Sequence, residues 1–222
     1  TTMATEKLSA RKVPYSGNPE AKLWFIGEAP GQKEDEELIP FVGESGDLLW
    51  GILGRYGIRR ENVFVHNLCP SRPFGNKFEN ALGTPELAQN VALLKQLIKT
   101  YQPHVIVALG KWAFQVLADK PKAAISAWRG SILSTSVSIP GSSSKLIGTF
   151  HPASVLRNGD QYPIVDADIC RAVVESGYPE LKLPERKFII DPRGVELELL
   201  VDELSSADTI SVDIETTKKI QH

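Results

Sequence analysis

The run Val105-Ile106-Val107-Ala108-Leu109 is apolar at every position. A strand with one wet face alternates polar and apolar residues, so a strand apolar at both parities must be covered on both sides, as in a parallel sheet between two helix layers. Leu23-Trp24-Phe25-Ile26 reads as a second buried strand. Apolar runs and helical periodicity alternate along the chain, predicting strands at 23–28, 62–68, 104–110 and 145–150 and helices at about 45–56, 84–101, 111–119 and 163–177. This βαβα order predicts a three-layer α/β/α sandwich with a four-stranded, mainly parallel sheet. Thr84-Pro85-Glu86 reads as a helix start, with Thr84 as N-cap and Pro85 at the first helical position. Residues 126–146, with Trp128-Arg129-Gly130 and Pro140-Gly141-Ser142-Ser143-Ser144, read as a hairpin excursion with a flexible tip.

A length of 222 residues with 42% hydrophobic content suits one sizeable core and a small second unit. Two cysteines, Cys69 and Cys170, exclude a disulfide scaffold and a four-cysteine metal site. Nothing near Met3 resembles a signal peptide or a membrane span, so a reducing, cytoplasmic setting is expected. A net charge of -2 excludes a whole-protein basic field, and any nucleic-acid binding has to come from local patches. Arg55, Arg59, Arg60, Arg72 and Lys77, set against the single acid Glu61, form one candidate patch. The acidic excess lies in residues 181–222, which hold nine acids and six bases.

The organisation changes near Tyr178. Pro179-Glu180-Leu181-Lys182-Leu183-Pro184 reads as a linker, Lys187-Phe188-Ile189-Ile190-Asp191 opens a new unit, and a helix is expected at about 194–205. Thr209 to Thr217 is expected to be a strand. The expected domains are 1–180 and 181–222, the second being one strand into something larger.

The turn Gly27-Glu28-Ala29-Pro30-Gly31 leaves the first buried strand at its carboxyl end, where open α/β sheets bind ligands. Glycine and proline fix the backbone there and aim the Glu28 side chain. Glu34 and Asp35 follow closely. Phe41, in Pro40-Phe41-Val42-Gly43, is held on a loop and offers a ring on which a planar base can stack. Ser45-Gly46 opens the next helix, whose free N–H groups can meet a DNA phosphate. Asn67 ends a strand and carries both an acceptor and donors, which match the N3–H and O4 edge of uracil and mismatch that of cytosine. His151 ends the last strand before Pro152-Ala153, placed to donate a hydrogen bond to a departing anion.

Taken together, these motifs, with Arg129-Gly130 and Leu156-Arg157, resemble the family 4 uracil-DNA glycosylases over roughly residues 20–177. The resemblance implies the uracil-DNA glycosylase fold and hydrolysis of the bond between uracil, or a modified uracil, and deoxyribose. Phe41 would stack on the flipped base, Asn67 would read its edge, and His151 would stabilise the uracil anion. Ala29 falls in the substrate pocket where family 1 enzymes carry an aspartate, leaving Glu28 and Glu34 to position water. Ser45, Gly46, Arg72, Leu156 and Arg157 would contact DNA. The family's iron–sulfur cluster is not expected, because Ser71 stands at one cluster position and residues 1–22 contain no cysteine. A different reading of the same domain is a catalytically silent uracil-sensing or DNA-tethering module.

Val212-Asp213-Ile214-Glu215-Thr216 resembles the first motif of the 3′–5′ exonuclease domain of polymerase I-type enzymes, an RNase H-like α/β fold whose Asp213 and Glu215 would bind metal. This second resemblance implies the amino end of a bacteriophage-type family A DNA polymerase, acting in a bacterial host cytoplasm. Mg2+ would serve only the full-length exonuclease and polymerase. The expected partners are DNA, as a single or template strand, and the remaining domains of a monomeric chain, with no membrane.

Overall fold

The computed structural model describes residues 7–182 and 189–212, and the chain divides into two compact units, Thr1–Leu181 and Lys182–His222. The first contains β1 (Ser16–Gly17), β2 (Leu23–Gly27), α1 (Gln32–Glu37), α2 (Glu44–Arg55), β3 (Phe64–Asn67), α3 (Pro85–Tyr101) and β4 (Val105–Leu109). It continues through α4 (Lys111–Ala118), α5 (Ile125–Trp128), β5 (Ile132–Ser134), β6 (Lys145–Thr149), α6 (Pro152–Arg157) and α7 (Tyr162–Glu175).

The sheet has six strands in the order β1-β3-β2-β4-β6-β5 and is mixed, where four mainly parallel strands were expected. The four expected strands are parallel to one another, in registers such as Trp24↔Phe64, Leu23↔Val105 and Val105↔Lys145. Antiparallel β1 and β5 are added at the two edges. With two and three residues and sequences such as Ser16-Gly17, they are too short to show a period. β5 and β6 form the arms of the expected hairpin excursion.

Both faces of the sheet are covered. Trp24, Ile26, Phe64, Ile106, Ala108 and Leu146 pack on Leu94 and Ile98 of α3 and on Phe114 and Leu117 of α4. The opposite parity, Leu23, Phe25, Val65, Val105, Val107 and Ile147, packs on Leu49, Ile52 and Leu53 of α2 and on Val165 and Ile169 of α7. Full burial of each such side chain contributes about 1.5–3 kcal/mol. Thr84 caps α3 as expected, its hydroxyl accepting the Leu87 N–H at 3.3 Å, with Pro85 first in the helix. α1 and α6 were not anticipated, since six residues rich in charge or beginning at His151-Pro152 show no apolar stripe.

Lys145 is fully buried, and its ammonium donates to the carbonyls of Glu175 (2.7 Å), Tyr178 (2.8 Å) and Glu180 (3.1 Å) and to Glu175 Oε2 (3.0 Å). Burial of a charge needs such full pairing. Tyr178 to Glu180 are thereby tied to the first unit, although Pro179 and Glu180 also open the stretch that reads as a linker.

In the second unit, α8 (Val195–Ser205) forms where a helix was expected. Residues 209–212 carry no strand, and Asp213 and Glu215 lie outside the described residues, so the exonuclease motif is not seen. No helix among the described residues is long and apolar enough to cross a membrane.

Candidate functional site

At the carboxyl ends of the parallel strands, Glu28, Ala29, His151 and Arg157 line one cavity of about 280 Å³. Glu28 follows β2, and its Oε1 accepts the backbone N–H of Trp112 at 2.9 Å, in the first turn of α4. The approach depends on Gly110, at φ +94°, where a Cβ would stand 2.5 Å from Glu28 Oε1 and 3.2 Å from His151 Cβ. Burial raises the Glu28 carboxyl above the ordinary carboxylate range; the Trp112 N–H opposes this, Glu79 adds to it, and Lys111 and Arg157 counter it. The result is a carboxyl group with enhanced basicity facing an open space.

His151 caps α6, its Nδ1 accepting the Ala153 N–H at 3.2 Å. An Nδ1 that accepts carries no proton, so the neutral ring bears its hydrogen on Nε2 and is a donor there. Burial, assisted by the Arg157 charge, lowers the imidazole to about 4, so the ring is neutral near pH 7. Sequence reasoning missed most of the other cavity residues, Lys77 of the expected basic patch excepted. Asn76, at φ +55°, Lys77, Phe78, Glu79 and Trp112 also line it, and the Phe78 and Trp112 rings stack at 5.4 Å. They lie on an irregular loop and a helix start; only the positive-φ tolerance of asparagine hinted at one of them.

Phe41 and Asn67 meet over Gly27, where a Cβ would lie 2.8 Å from Phe41 Cζ and also collide with Asn67 Oδ1. Both are buried and outside the cavity lining, the turn from Gly27 to Glu28 linking the two groups. Phe41 sits at φ +56°, a conformation unusual for a bulky residue and therefore held from outside. Glu34 provides the hold: Oε1 accepts the Phe41 N–H in a very short bond, and Oε2 accepts the Gly31 N–H at 2.5 Å. The Phe41 carbonyl accepts from Trp50 Nε1 at 2.8 Å and from Arg60 at 3.3 Å. Glu34 was expected to help position water. Its two oxygens accept backbone N–H groups that brace the Phe41 loop, and it does not line this cavity.

Gly46 is buried, and its missing Cβ lets the Phe41 backbone lie against α2. The N-cap of α2 is Gly43, one residue before Glu44, because the chain enters the helix earlier than the Ser45 hydroxyl suggested. Ser45 shares a small cavity of about 220 Å³ with Leu156, which is half exposed. Arg72 lines a separate cavity of about 300 Å³ with Asp35, and its buried Nε has no hydrogen-bond partner. The expected basic patch is partly spent internally: Arg60 turns to the Pro40 and Phe41 carbonyls, and Arg55 pairs with Asp166 at 3.2 Å.

A doubly covered α/β sheet with a basic carboxyl group and a neutral imidazole facing one cleft at its carboxyl edge has its crevice where open α/β sheets hold ligands. The chain belongs to the Uracil DNA glycosylase superfamily, whose sequence pattern matches residues 14–169. It is 38% identical over 155 residues to a type-4 uracil-DNA glycosylase of Archaeoglobus fulgidus, covering 68% of this chain and 74% of that protein. A type-4 enzyme of Thermotoga maritima is 39% identical, covering 64% of this chain and 70% of the relative. One of Saccharolobus solfataricus is 34% identical, covering 73% and 74%.

The resemblance to family 4 raises the question of an iron–sulfur cluster, and the donors present do not fit one. Cys69 is buried with its thiol bonded to the Ser71 carbonyl at 3.3 Å, and burial pushes the thiol up to about 11, the opposite of a thiolate ligand. Ser71 is a hydrogen-bonding hub, its hydroxyl 2.7 Å from the Arg11 carbonyl and 2.9 Å from Glu86 Oε1. No cluster of three or more histidine, cysteine or acidic side chains suited to a metal occurs among the described residues.

Proposed function

We propose that this chain is a uracil-DNA glycosylase that flips uracil from DNA and hydrolyses its N-glycosidic bond, without an iron–sulfur cluster. The observation that carries the reading is the convergence of Glu28 and His151 on one cavity, with the Phe41–Asn67 pair one residue away across Gly27. Uracil stacks on Phe41, and the Asn67 carboxamide pairs with N3–H and O4. As the bond from C1′ to N1 breaks, both electrons leave with the base, and the Nε2–H of His151 stabilises the negative charge at O2. The neutral imidazole can donate from Nε2 while Nδ1 continues to accept the Ala153 N–H. Water held by Glu28 adds to C1′, its proton passing to the carboxylate, and an abasic site remains. Ser45, Leu156, Arg157 and Arg72 are proposed to meet the DNA strand; Arg157 and the exposed Leu156 end the same short helix that His151 begins.

The test is release of free uracil from a single-stranded oligonucleotide, with thymine and cytosine oligonucleotides beside it. Release from the uracil strand alone is expected. Binding without release of any base would favour the silent sensing or tethering module.

We further infer that residues 181–222 open the exonuclease domain of a DNA polymerase, with Asp213 and Glu215 as metal ligands in the full-length protein. The support is the Asp-x-Glu pair alone. Mg2+-dependent shortening of DNA 3′ ends by the full-length protein, abolished by Asp213→Ala, is the expected result; no shortening by the full-length protein would overturn the inference.

A further inference from the structure

We propose that Asn90, in α3, is a positioning residue that sets where the Asn67 carboxamide stands. This rests on the reading of Asn67 as the group that recognises the uracil edge. β3 ends at Asn67, and the chain beyond it is held on one side by β2 and its turn: Leu68 N–H donates to the Gly27 carbonyl and Cys69 N–H to that of Glu28, each at 3.0 Å. On the other side β1 pairs with β3 only at Phe64 and Val65. The amino-terminal segment rejoins only at Pro70, whose carbonyl accepts the Val13 N–H at 2.8 Å. In the gap stand the carbonyls of Asn67 and Leu68, both in buried residues.

Asn90 fills the gap. Its Nδ2 donates to the Asn67 carbonyl at 2.9 Å and to the Leu68 carbonyl at 2.7 Å, one proton for each. Its Oδ1 lies 3.3 Å from Nε2 of the buried His66. The amide cannot be turned over, since Oδ1 would then face two carbonyl oxygens. Oδ1 therefore accepts, and His66 carries its proton on Nε2. The carboxamide of Asn67 shares its Cα with the clamped carbonyl, so a shift of that peptide swings the side chain that reads the base. A misplacement of about 1 Å in such a group can cost about 10²-fold in rate.

The test uses Asn90→Leu, which keeps the size and removes the donors, and Asn90→Asp, which replaces donors by acceptors. Inhibition by free uracil, which engages the base pocket, is compared with inhibition by an abasic-site oligonucleotide, which engages the strand. Free uracil is expected to inhibit both variants at least about tenfold more weakly than wild type, with abasic-site inhibition unchanged. Equal weakening of both inhibitors, or of neither, overturns the proposal. A wild type that free uracil does not inhibit overturns the base-pocket reading and this proposal with it, whereas a normal wild type with unaffected variants overturns this proposal alone. Should neither variant fold, nitrogen NMR of wild-type His66 decides: the Nε2–H tautomer near pH 7 is expected, and the Nδ1–H tautomer or an imidazolium overturns the hydrogen-bond set.

Discussion

Gly110 joins β4 to α4 at φ +94° and ψ 175°, a region that only glycine enters without strain. In Gly110→Ala the backbone cost is about 1–3 kcal/mol. For a unit of this size that lowers the melting temperature by roughly 2–12 °C, at about 2–4 °C per kcal/mol. The new methyl would also stand 2.5 Å from Glu28 Oε1, so the carboxylate must leave the Trp112 N–H. If Glu28 positions the attacking water, uracil release should fall by about 10²–10⁴-fold, the usual contribution of a general base. Melting and uracil release are measured on wild type, Gly110→Ala, Glu28→Ala and the double variant. The collision disappears once Glu28 is alanine, so the double variant should lose less stability than the two single losses added together, and its activity should match that of Glu28→Ala. A folded Gly110→Ala protein with wild-type turnover would refute the role given to the Glu28 position. Additive melting losses would refute the collision itself.

Four further expectations concern other residues. His151→Ala should slow uracil release by about 10²–10³-fold while DNA binding, measured by fluorescence anisotropy, is kept; unchanged release would remove His151 as the anion stabiliser. Glu34→Gln should turn an amide N–H toward a backbone N–H that the carboxylate now satisfies and cost about 1–3 kcal/mol in urea unfolding, whereas a neutral result would mean the Phe41 loop is held by Trp50 and Arg60 alone. Burial lowers the His66 imidazole to about 4, while the unfolded chain binds its proton near pH 6.5. The stability contributed by neutral His66 is therefore complete above about pH 6.5 and lost toward pH 4, by roughly 3 kcal/mol, and His66→Gln should flatten the dependence of the urea midpoint on pH over that window. Purified protein should show no iron absorbance, and dialysis against a chelator should leave its melting temperature unaltered; iron whose removal lowers the melting temperature would refute cluster-free stabilisation.

The central sheet was legible because burial on both faces writes itself into Val105–Leu109 and Leu23–Ile26, as expected of parallel strands covered by helices. The edge strands were not, because Ser16-Gly17 and Ile132-Leu133-Ser134 gain their strand form from a neighbour's free backbone and not from their own pattern. At the site, Glu28 and His151 could be found because Glu28 directly follows β2 and His151 stands two residues beyond β6, and strand ends in a parallel sheet share one edge. Glu34 was paired with Glu28 only through the resemblance, and its bond to Phe41, seven residues on, was not legible because it depends on a left-handed backbone that no period announces. Asn76 and Trp112 escaped for a related reason, since residues on loops and helix starts reach a cavity through the turns that carry them. Arg60 read as a surface charge because sequence does not show that two carbonyls of the Phe41 loop need donors.

The four oxygens around the Lys145 ammonium also set where the first unit can be cut from the residues that follow it. A cut after the last turn of α7, the boundary that element ends suggest, would remove the Tyr178 and Glu180 carbonyls and leave a cation in the interior with half its ligands. Three residues without regular structure thus act as the seal of the unit. A portable glycosylase module has to keep them, and a fusion designed at this junction should place its flexible joint after Glu180.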